Sequence, residues 1–418
     1  MFRIHVVSLV LFGLATALGV DANALTLDEA ERQALMANKD VLLGGAAVAG
    51  AEAGIVAAGQ RPNPNLTLQT INVDPYRGVG AGPLNRKSVD STAQLTWLWE
   101  RGGKVELRLA AARAQRDAAR FGLVDARRVL RQAVRSGYYD LKESLERLAL
   151  LQESQGILRD AYQTADRRVR AGDLAPLDRT RVEVEVMRGE NEVRAAASDV
   201  AAAREVLGVL LGGMPQPAVQ SLMAEDAWPG LTAATSTAAA LDPSSLRPDV
   251  EQAARLEEAA TQSRELARSL ATRDITVGAQ VERFPPDMRA SAGVIVSIPL
   301  FTNHRYGGEL ARAEADLASA RLSREKAQLQ AEADRQGARQ QLSLAQGRLD
   351  SMRNAGLRAA RDAANGTELA YQKGAASLTD VLDARRQLRA VQIELVQAFS
   401  DQAKALAAWR AATEWERP

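Results

Sequence analysis

Residues 371–395 read YQKGAASLTDVLDARRQLRAVQIEL, a glycine-containing turn between two segments rich in helix-forming residues. The surrounding sequence repeats an earlier part of the chain at a constant offset of 202, which aligns Gly374 with Gly172 and Leu300 with Leu98. Two copies of one unit therefore fill most of the chain. A duplication of this length predicts a quasi-symmetric assembly in which each copy supplies an equivalent part of a larger closed object.

The duplication continues upstream at a slightly different offset. Residues 38–68 align with residues 247–277 at an offset of 209, so the first copy carries seven extra residues between its two strand-like segments. Insertions are tolerated most easily in surface loops. We therefore place this one in the loop that joins the first two predicted strands.

The N-terminal 24 residues have the layout of a secretory signal peptide. Arg3 precedes an apolar run over residues 6–20, and Ala22 and Ala24 form an A-x-A cleavage site. A signal anchor would need about 20 apolar residues, whereas glycines and polar residues interrupt this run. We expect cleavage after Ala24 and export of a chain that begins at Leu25.

Composition narrows the class of protein further. The chain has no cysteine, which excludes disulfides, thiolate metal sites and a lipid-bearing cysteine after the signal. Beyond residue 24 we find no uninterrupted run of about 18 apolar residues and expect no membrane-spanning helix. The 53 basic and 52 acidic residues balance, which argues against a nucleic-acid partner. With aromatic residues at only 4%, the composition is typical of long helices.

Proline positions indicate where the long helices lie, because proline breaks a helix interior. None occurs between Pro83 and Pro176 or between Pro299 and Pro418. In the first interval mostly apolar residues recur at every seventh position: Val134, Leu141, Leu148, Gln155, Tyr162 and Val169. This spacing is typical of a coiled coil. A helix over residues 104–170 would measure about 100 Å, which is more than a compact domain uses.

The predicted strands are short and alternate between apolar and polar residues. Between Ile275 and Glu282 every second residue is apolar, and residues 291–298 largely repeat the pattern. Residues 66–68 and 95–99 form a less regular pair in the first copy. Such alternation is typical of transmembrane β-strands, although a half-buried soluble hairpin gives the same pattern.

Four strands cannot close a barrel by themselves. An open sheet edge in lipid leaves backbone donors and acceptors unpaired, so several chains must combine their strands. Three chains would supply twelve strands. We therefore predict a trimer whose barrel continues into a cylinder of helices.

These patterns divide the chain into four parts. They are the signal peptide over residues 1–24, a first repeat over 25–213, a linker over 214–246 and a second repeat over 247–418. The first repeat is predicted to hold strands at about 65–74 and 90–100 and helices at about 40–62, 103–171 and 176–211. The second is predicted to hold strands at about 274–283 and 290–300 and helices at about 248–271, 303–373 and 377–413.

Several stretches resemble the TolC family of outer-membrane efflux ducts, across essentially the whole mature chain. They are LTLDEAERQALMAN after the signal, RPNPNLTL at the first strand, VSIPLFTNHRYGGELARAEADL after the fourth, AGDLAPLDRTRVEVE at the first turn and YQKGAASLTDVLDARRQLRAVQIEL at the second. The last is the most specific. The length and the missing lipid-anchor cysteine look most like outer-membrane components of heavy-metal resistance systems of the cobalt-zinc-cadmium and cobalt-nickel type.

The resemblance implies a mainly helical chain with a β-barrel part, assembled as a homotrimer. Three chains would form a twelve-stranded barrel in the outer membrane of a Gram-negative bacterium, on a coiled-coil tunnel that extends into the periplasm. The implied partners are an inner-membrane pump of the resistance-nodulation-division class and a periplasmic membrane-fusion adaptor. The predicted function is export of divalent cations of the cobalt, nickel, zinc and cadmium class, with a multidrug or type I secretion duct as the alternative.

The resemblance also assigns roles at the two turns. They would form the periplasmic tip that contacts the adaptor, through Gly172, Asp173, Leu174, Gly374, Ala375 and Ala376. A glycine at each turn suits the left-handed end of a helix. By the same resemblance, Asp380 and Asp383 share one helix face and would line the narrowest part of the bore with carboxylate rings, which favour cations and titrate at raised pKa values. Alternatively, Asp380 forms a capping box with Ser377.

Two further residues match family positions that tie neighbouring helices together and hold the tip closed. They are Asp178 and Tyr371. The arginine that partners them in the family is replaced here by Ala376. We therefore predict fewer tethers or a different set.

The sequence offers little for metal selection or catalysis. The mature part has one histidine, His304, whereas selective zinc, cobalt or nickel sites gather imidazoles or thiolates. We expect no metal site and no cofactor, and assign substrate choice to the pump. No nucleophile-base set or phosphate loop points to an enzyme. An exported coiled-coil scaffold or adhesin is a weaker alternative, because it leaves the paired strands unexplained.

Overall fold

The computed structural model describes residues 25–71, 73, 76, 89–230, 247–284 and 288–415. Its elements in chain order are α1 (Leu27–Ala37), α2 (Lys39–Gly59), β1 (Asn65–Ile71), β2 (Asp90–Trp99), α3 (Lys104–Arg170), α4 (Pro176–Leu210), α5 (Gln216–Gln220), α6 (Pro248–Ser269), β3 (Ile275–Phe284), β4 (Met288–Ser297), α7 (Gly307–Ser351), a π-helical turn (Met352–Gly356), α8 (Leu357–Gln372) and α9 (Leu378–Thr413). The signal peptide, most of the β1–β2 loop with its predicted insertion, and residues 231–246 lie outside the described residues.

The chain divides into two compact units. The strand unit is drawn from residues 35–132, 230–346 and 405–418, and it contains the four strands. The turn unit is drawn from residues 1–34, 133–229 and 347–404, and it contains both helix reversals. We refer to α3 and α4 as the first hairpin and to α7, the π-helical turn, α8 and α9 as the second.

The first hairpin follows the heptad pattern of the sequence. Helix α3 is continuous over 67 residues. In the part that belongs to the turn unit, the buried residues are Val134, Tyr138, Leu141, Leu151 and Ala165. Helix α4 begins with Pro176 at its first position, where proline is tolerated because the missing N–H would have had no intrahelical partner. The absence of proline inside either helix permits this length.

The second hairpin differs from the single helix predicted over residues 303–373. It begins only at Gly307, after a loop in which Tyr306 has a positive φ of 60°. It is also interrupted at the π-helical turn, where the Leu357 N–H donates to the carbonyl of Met352, five residues earlier. Strand β4 likewise ends at Ser297 rather than at about residue 300, consistent with Pro299 having no N–H to donate.

Helix α2 corrects the expectation that no helix after the signal is apolar enough to cross a membrane. It passes that test by length and composition, with a mean hydropathy of 1.8 over its most apolar 18 residues. The sequence shows no uninterrupted apolar run because Glu52 lies within it, and in the strand unit Glu52 accepts a hydrogen bond from Arg120 of α3 at 2.8 Å. The same helix leaves Leu43 and Val56 about two-thirds exposed.

The first part of the predicted linker packs in the turn unit. The Tyr138 hydroxyl donates to the Leu25 carbonyl at 3.0 Å and accepts from the Asp226 N–H at 3.0 Å. Leu25 also forms a parallel bridge with Ala224. The Trp228 ring stacks on the ring of Phe399 with centroids 5.8 Å apart. These contacts fix the start of the linker on the helices of this unit.

Candidate functional site: an apolar sheet face and a two-turn tip

The four strands form one antiparallel sheet in chain order, β1-β2-β3-β4. Each copy contributes one β-hairpin, and the β2–β3 pairing joins the two hairpins. The register pairs Leu66 with Leu95, and the next pairing places Leu95 opposite Ala279. Ala279 in turn lies opposite Val294. Apolar residues therefore follow one another across all four strands.

The alternation predicted from the sequence thus becomes one continuous apolar face. Its members are Leu66, Leu68, Ala93, Leu95, Trp97, Trp99, Ile275, Val277, Ala279, Val281, Ala292, Val294 and Val296. In the single chain this face is open, with Val294 83% and Leu68 73% exposed. The opposite face carries Thr67, Gln94, Thr96, Gln280, Glu282 and Ser291. One apolar and one polar face is the arrangement of a barrel wall in lipid.

Both sheet edges lack a partner within the part of the chain that the structure describes. Strand β1 pairs only with β2, and β4 pairs only with β3. Each edge therefore presents backbone N–H and carbonyl groups that lipid cannot satisfy. A sheet with this face and these edges is an incomplete wall, which further strands must close.

The two helix reversals in the turn unit have the same backbone geometry. The Gly172 N–H donates to the Val169 carbonyl at 3.1 Å, and the Asp173 N–H donates to the Arg168 carbonyl at 2.8 Å. Gly374 and Ala375 make the equivalent pair of bonds, at 2.9 and 2.8 Å. These are Schellman motifs, and they require the positive φ of 82° and 75° at the two glycines.

The other residues predicted to form the tip lie beside these glycines. Asp173 and Ala375 are exposed, whereas Leu174 and Ala376 are half-buried. The exposed side chain after each glycine is therefore polar at the first reversal and small at the second. A partner can approach the backbone of either turn closely.

Asp380 lies in the first turn of α9 and forms a capping box with Ser377. Its carboxylate accepts hydrogen bonds from the Ser377 hydroxyl at 2.7 Å and the Ser377 N–H at 2.8 Å. These two bonds, with the hydroxyl bond the stronger cause, hold the pKa of the Asp380 carboxyl below its ordinary value. The capping-box interpretation is therefore confirmed for a single chain, whereas the raised pKa of a carboxylate ring stays a prediction for the assembly.

Tyr371 and Asp178 both contact arginines, although neither arginine is at position 376. The Tyr371 hydroxyl accepts a hydrogen bond from Arg168 Nη1 at 2.8 Å, which joins α8 to α3. The Asp178 carboxylate accepts from Arg181 Nη1 at 3.3 Å. The same Nη1 donates to Thr379 Oγ1 at 3.2 Å, which joins α4 to α9.

A further arginine makes the reciprocal contact from α9. Arg386 Nη2 lies 3.2 Å from Asp383 Oδ1 on its own helix and 3.4 Å from Glu185 Oε1 on α4. Arg181 and Arg386 thus each pair with a carboxylate three residues earlier and reach across to the other hairpin, beside a cavity of about 230 Å³. We call the cross-hairpin contacts of Arg168, Arg181 and Arg386 the arginine contacts.

The sequence patterns pointed to the carboxylates and the tyrosine but not to these arginines. A signal existed for two of them, because Arg181 and Arg386 each follow a carboxylate by three residues, which is an ion-pair spacing on a helix. Arg168 carries no comparable signal, since its partner Tyr371 is 203 residues away. Only the packing of the two hairpins brings that pair together.

The lone histidine of the mature chain lies in the strand unit, after β4. His304 Nε2 is 2.9 Å from Glu309 Oε1, and its ring meets Tyr306 edge-on at 4.6 Å. Among the described residues, no group of three or more histidines and carboxylates is placed to hold a metal ion. This pair therefore supplies too few ligands for a closed transition-metal site.

A family model described as "Outer membrane efflux protein" matches residues 30–213 and 244–413. The chain belongs to the outer membrane efflux protein family. The matched ranges contain both hairpins and all four strands. The apolar sheet face is therefore part of a protein that functions in the outer membrane, and the family is one of channels rather than of enzymes.

Individual relatives agree with this family. The chain is similar to the cobalt-zinc-cadmium resistance protein CzcC of Cupriavidus metallidurans, with 28% identity over 88% of this chain and 84% of that protein. It is also similar in structure to the outer membrane protein VceC of Vibrio cholerae, with a TM-score of 0.75, 20% identity, and coverage of 92% and 95% of the two chains. The structure of CusC matches with a TM-score of 0.76 and 17% identity over 92% of this chain and 91% of that one.

These structures confirm the predicted fold. The outer membrane efflux protein described here has the mainly helical architecture of such channels, with a four-stranded contribution to a barrel and long helical hairpins.

Proposed function

We propose that this chain is the outer-membrane duct of a tripartite efflux system that exports divalent cations of the cobalt, nickel, zinc and cadmium class. The main support for a duct is the exposed apolar sheet face with two open edges. It occurs in a member of the outer membrane efflux protein family. Similarity to CzcC supports the metal class of substrate. The chain's own part is to form the passage, and it performs no chemistry on the cargo.

A homotrimer closes the sheet. In this proposal β1 of one chain pairs with β4 of the next, so that three four-stranded sheets form one twelve-stranded barrel. Every edge N–H and carbonyl then has a partner, and the apolar face meets lipid. The helices next to the two edges should meet in the same way, because α2 leads into β1 and α7 follows β4.

The outer faces of α2 and α7 suit such a contact. In its most apolar window α2 is only 6% buried, and Leu43 and Val56 are exposed on it. Helix α7 carries Leu322, Leu329 and Leu344 at 65, 74 and 66% exposure, on the side away from the buried seam of this helix. Two open apolar stripes on the edge helices would be covered when copies of the chain meet side by side.

At the tip, we assign the arginine contacts to holding the two hairpins together in the closed duct. They take the place of the family arginine that Ala376 replaces. Each contact is exposed and weak by itself, about 0.2–1 kcal/mol, so that loss of a few of them is enough to shift the tip toward an open state. In this proposal Tyr371 acts as a tether through Arg168, and Asp178 does so by holding Arg181, which reaches Thr379 of α9.

The tip also carries the proposed gate carboxylates and the adaptor surface. In the trimer Asp380 and Asp383 would present two carboxylate rings to the bore, which favours passage of cations over anions. Arg386 offsets the charge of Asp383 while the tip is closed. The turns at Gly172 and Gly374 would receive the hairpin of a periplasmic membrane-fusion adaptor.

The adaptor would link the duct to an inner-membrane pump of the resistance-nodulation-division class. In this proposal the pump selects the cargo, and the duct passes on what the pump delivers. Delivery to the outer membrane would follow cleavage of the signal peptide after Ala24, without a lipid anchor.

The test is metal tolerance of cells that lack this gene, measured for cobalt, nickel, zinc, cadmium and copper beside a panel of antibiotics. Loss of tolerance to divalent cations alone supports the proposal. Loss of tolerance to drugs alone replaces the metal class with a multidrug duct, and no change in either contradicts an efflux duct.

Complementation with variant genes tests the contribution of the sheet to this function. The parent gene should restore tolerance, whereas Val294→Arg, on the apolar face, should fail because an arginine facing the bilayer midplane costs about 2–4 kcal/mol. Ile295→Arg is the matched control, since Ile295 lies next in the strand and on the polar face. Equal failure of both variants would contradict the assignment of the two faces.

A further inference from the structure

The π-helical turn at Met352–Gly356 has no counterpart in the first hairpin. The backbone bond from the Leu357 N–H to the Met352 carbonyl spans five residues instead of four. The equivalent part of α3, residues 150–154, is regular α-helix. Turns of this kind are uncommon in proteins and are found disproportionately at functional positions.

The turn changes the phase of the buried seam. In α3 the buried residues Leu151 and Ala165 are 14 positions apart, which is two heptads. In the second hairpin the buried residues Leu349 and Ala364 are 15 positions apart and lie on either side of the turn. The π-helical turn therefore contains one residue more than a continuous coiled-coil seam requires.

Within the same turn, Gly356 lies beside α9 and has no side chain. A β-carbon added at Gly356 would lie 3.1 Å from the Met352 sulfur and 4.0 Å from Val391 Cγ1 of α9. The side-chain neighbours of this position are therefore a flexible thioether from the turn itself and one methyl group from α9. Helix kinks sharper than about 20° occur at a small set of features, and a π-helical turn is one of them.

The arginine contacts all lie between this turn and the tip. Gly356 is about 27 Å along the helix axis from Gly374, at the usual rise per residue. A bend of about 20° at the turn would displace the second reversal by about 9 Å. That displacement is enough to separate Tyr371 from Arg168, which now meet at 2.8 Å.

We propose that the π-helical turn is the flexion point about which α8, with the tip half of α9, moves away from the first hairpin when the duct opens. The uninterrupted α3 is the fixed side of this movement. The inference rests on the proposed function, because it assumes a tip that opens. It goes beyond that function by naming the position at which the second hairpin bends.

Removing the extra residue tests this directly. Deletion of Asn354, an exposed residue inside the turn, should turn the second hairpin into a regular helix with Leu349 and Ala364 two heptads apart. Asn354→Ala is the matched control, since it keeps the length of the turn. Both changes are made in the parent chain and in an untethered chain that carries Tyr371→Phe and Arg386→Gln.

The readout is single-channel conductance of the full-length trimer in planar lipid bilayers. We expect a higher conductance for the untethered chain than for the parent. Deletion of Asn354 in the untethered chain should bring the conductance back to the parent value, whereas Asn354→Ala should leave it high. A conductance that stays high after the deletion, in a trimer that assembles normally, would overturn the proposal.

A reversible disulfide is a second test, to be used if the deletion prevents assembly or the untethered chain does not open. The parent has no cysteine, so Gly356→Cys with Val391→Cys can tie the turn to α9 in one chain. Oxidation should lower metal export and reduction should restore it, whereas equal export in both states would overturn the flexion point. If the parent chain itself forms no channel and exports no metal, the proposed function fails instead.

Discussion

In the first copy α3 runs as one helix from Lys104 to Arg170, whereas in the second a π-helical turn separates α7 from α8. Both copies then reverse at a glycine with positive φ and the same pair of backbone bonds. The two copies therefore share the backbone geometry of the reversal but not the regularity of the helix that leads to it.

The helices that follow the two reversals begin differently. Helix α4 has Ala175 before its first turn and no side-chain cap, whereas Ser377 at the equivalent position of the second copy bonds Asp380. Asp178 occupies the place of Asp380 but has no hydroxyl beside it, and its carboxylate bonds Arg181 instead. A carboxylate at one position thus caps a helix in one copy and holds a cross-hairpin arginine in the other, because of a residue three positions earlier.

The largest effect is expected where the copies differ at the start of the helix before each β-hairpin. Arg247 in the second copy is 6% exposed and binds Asp249 through two bonds of 2.7 Å and Asp334 through one of 2.8 Å. Replacing it by the residue of the first copy, Arg247→Asn, should lower the free energy of unfolding by about 2–3 kcal/mol. The estimate stays below that for a fully buried pair because both carboxylates keep contact with water.

Thermal melting of the purified trimer measures this loss. The matched control is Asn38→Ala in the first copy, where the side chain accepts one bond from the Asp40 N–H at 2.9 Å. Loss of that cap should cost about 1 kcal/mol. Equal melting temperatures for the two variants would contradict a larger contribution of Arg247 than of Asn38 to stability.

The next effect tests what the copies share. Gly172→Ala and Gly374→Ala should each destabilise the tip by about 1–2 kcal/mol, because an alanine at positive φ brings its β-carbon against the carbonyl. Gly156→Ala, inside α3 with open space around the new β-carbon, should instead stabilise by about 0.5–1 kcal/mol. Urea unfolding followed by tryptophan fluorescence would show a sign that differs between the turn glycines and the helix glycine. A different loss of stability for Gly172→Ala and Gly374→Ala would show that the two turns are not energetically equivalent.

A smaller effect is expected from the arginine contacts. Arg386→Gln removes the bond from α9 to Glu185, and because an exposed pair contributes about 0.2–1 kcal/mol, the open fraction of the tip should rise by at most a few-fold. Arg188→Gln is the control, since Arg188 binds the same Glu185 at 3.0 Å but within α4. Single-channel recording should show more frequent opening for the first variant only. Equal behaviour of both would indicate that the link across the hairpins has no effect on opening.

The smallest effect exchanges the two caps. The Ser377 hydroxyl is the main cause of the lowered pKa of Asp380, so this stabilisation is complete above the ordinary carboxyl pKa and is lost as the pH falls through the folded value. Ser377→Ala should remove most of that pH dependence, and Ala175→Ser should create it at Asp178. Hydrogen exchange of the turn amides at several pH values measures both. An unchanged profile in Ala175→Ser would show that the Asp178 carboxylate stays with Arg181 instead of bonding the new hydroxyl.

Much of the fold was predictable because its signals are local or periodic. The four strands, the reversals at Gly172 and Gly374, and α3 with its heptad seam follow from alternation, glycine and the absence of proline. The apolar face of the sheet was also predictable, since strand alternation fixes which residues share a face once the strands pair in chain order.

The sequence pattern missed three features for identifiable reasons. The π-helical turn differs from a regular helix by one residue of seam phase, which is hidden among the many alanines of residues 355–364. The apolar character of helix α2 was not recognised because Glu52 divides its apolar run. The partner of Tyr371 was not predicted because Arg168 is distant in the chain and close only through packing.

The sequence by itself determined the two copies, the uninterrupted length of α3, the left-handed turns and the alternation that makes one sheet face apolar, because each depends on residue types at fixed local spacing. Only the tertiary structure decided which arginines join the hairpins, that Asp380 is held by Ser377 while Asp178 is held by Arg181, and where the second hairpin is interrupted. These depend on distances of a few ångströms between segments far apart in the chain, and side chains compete for partners that only packing brings within reach.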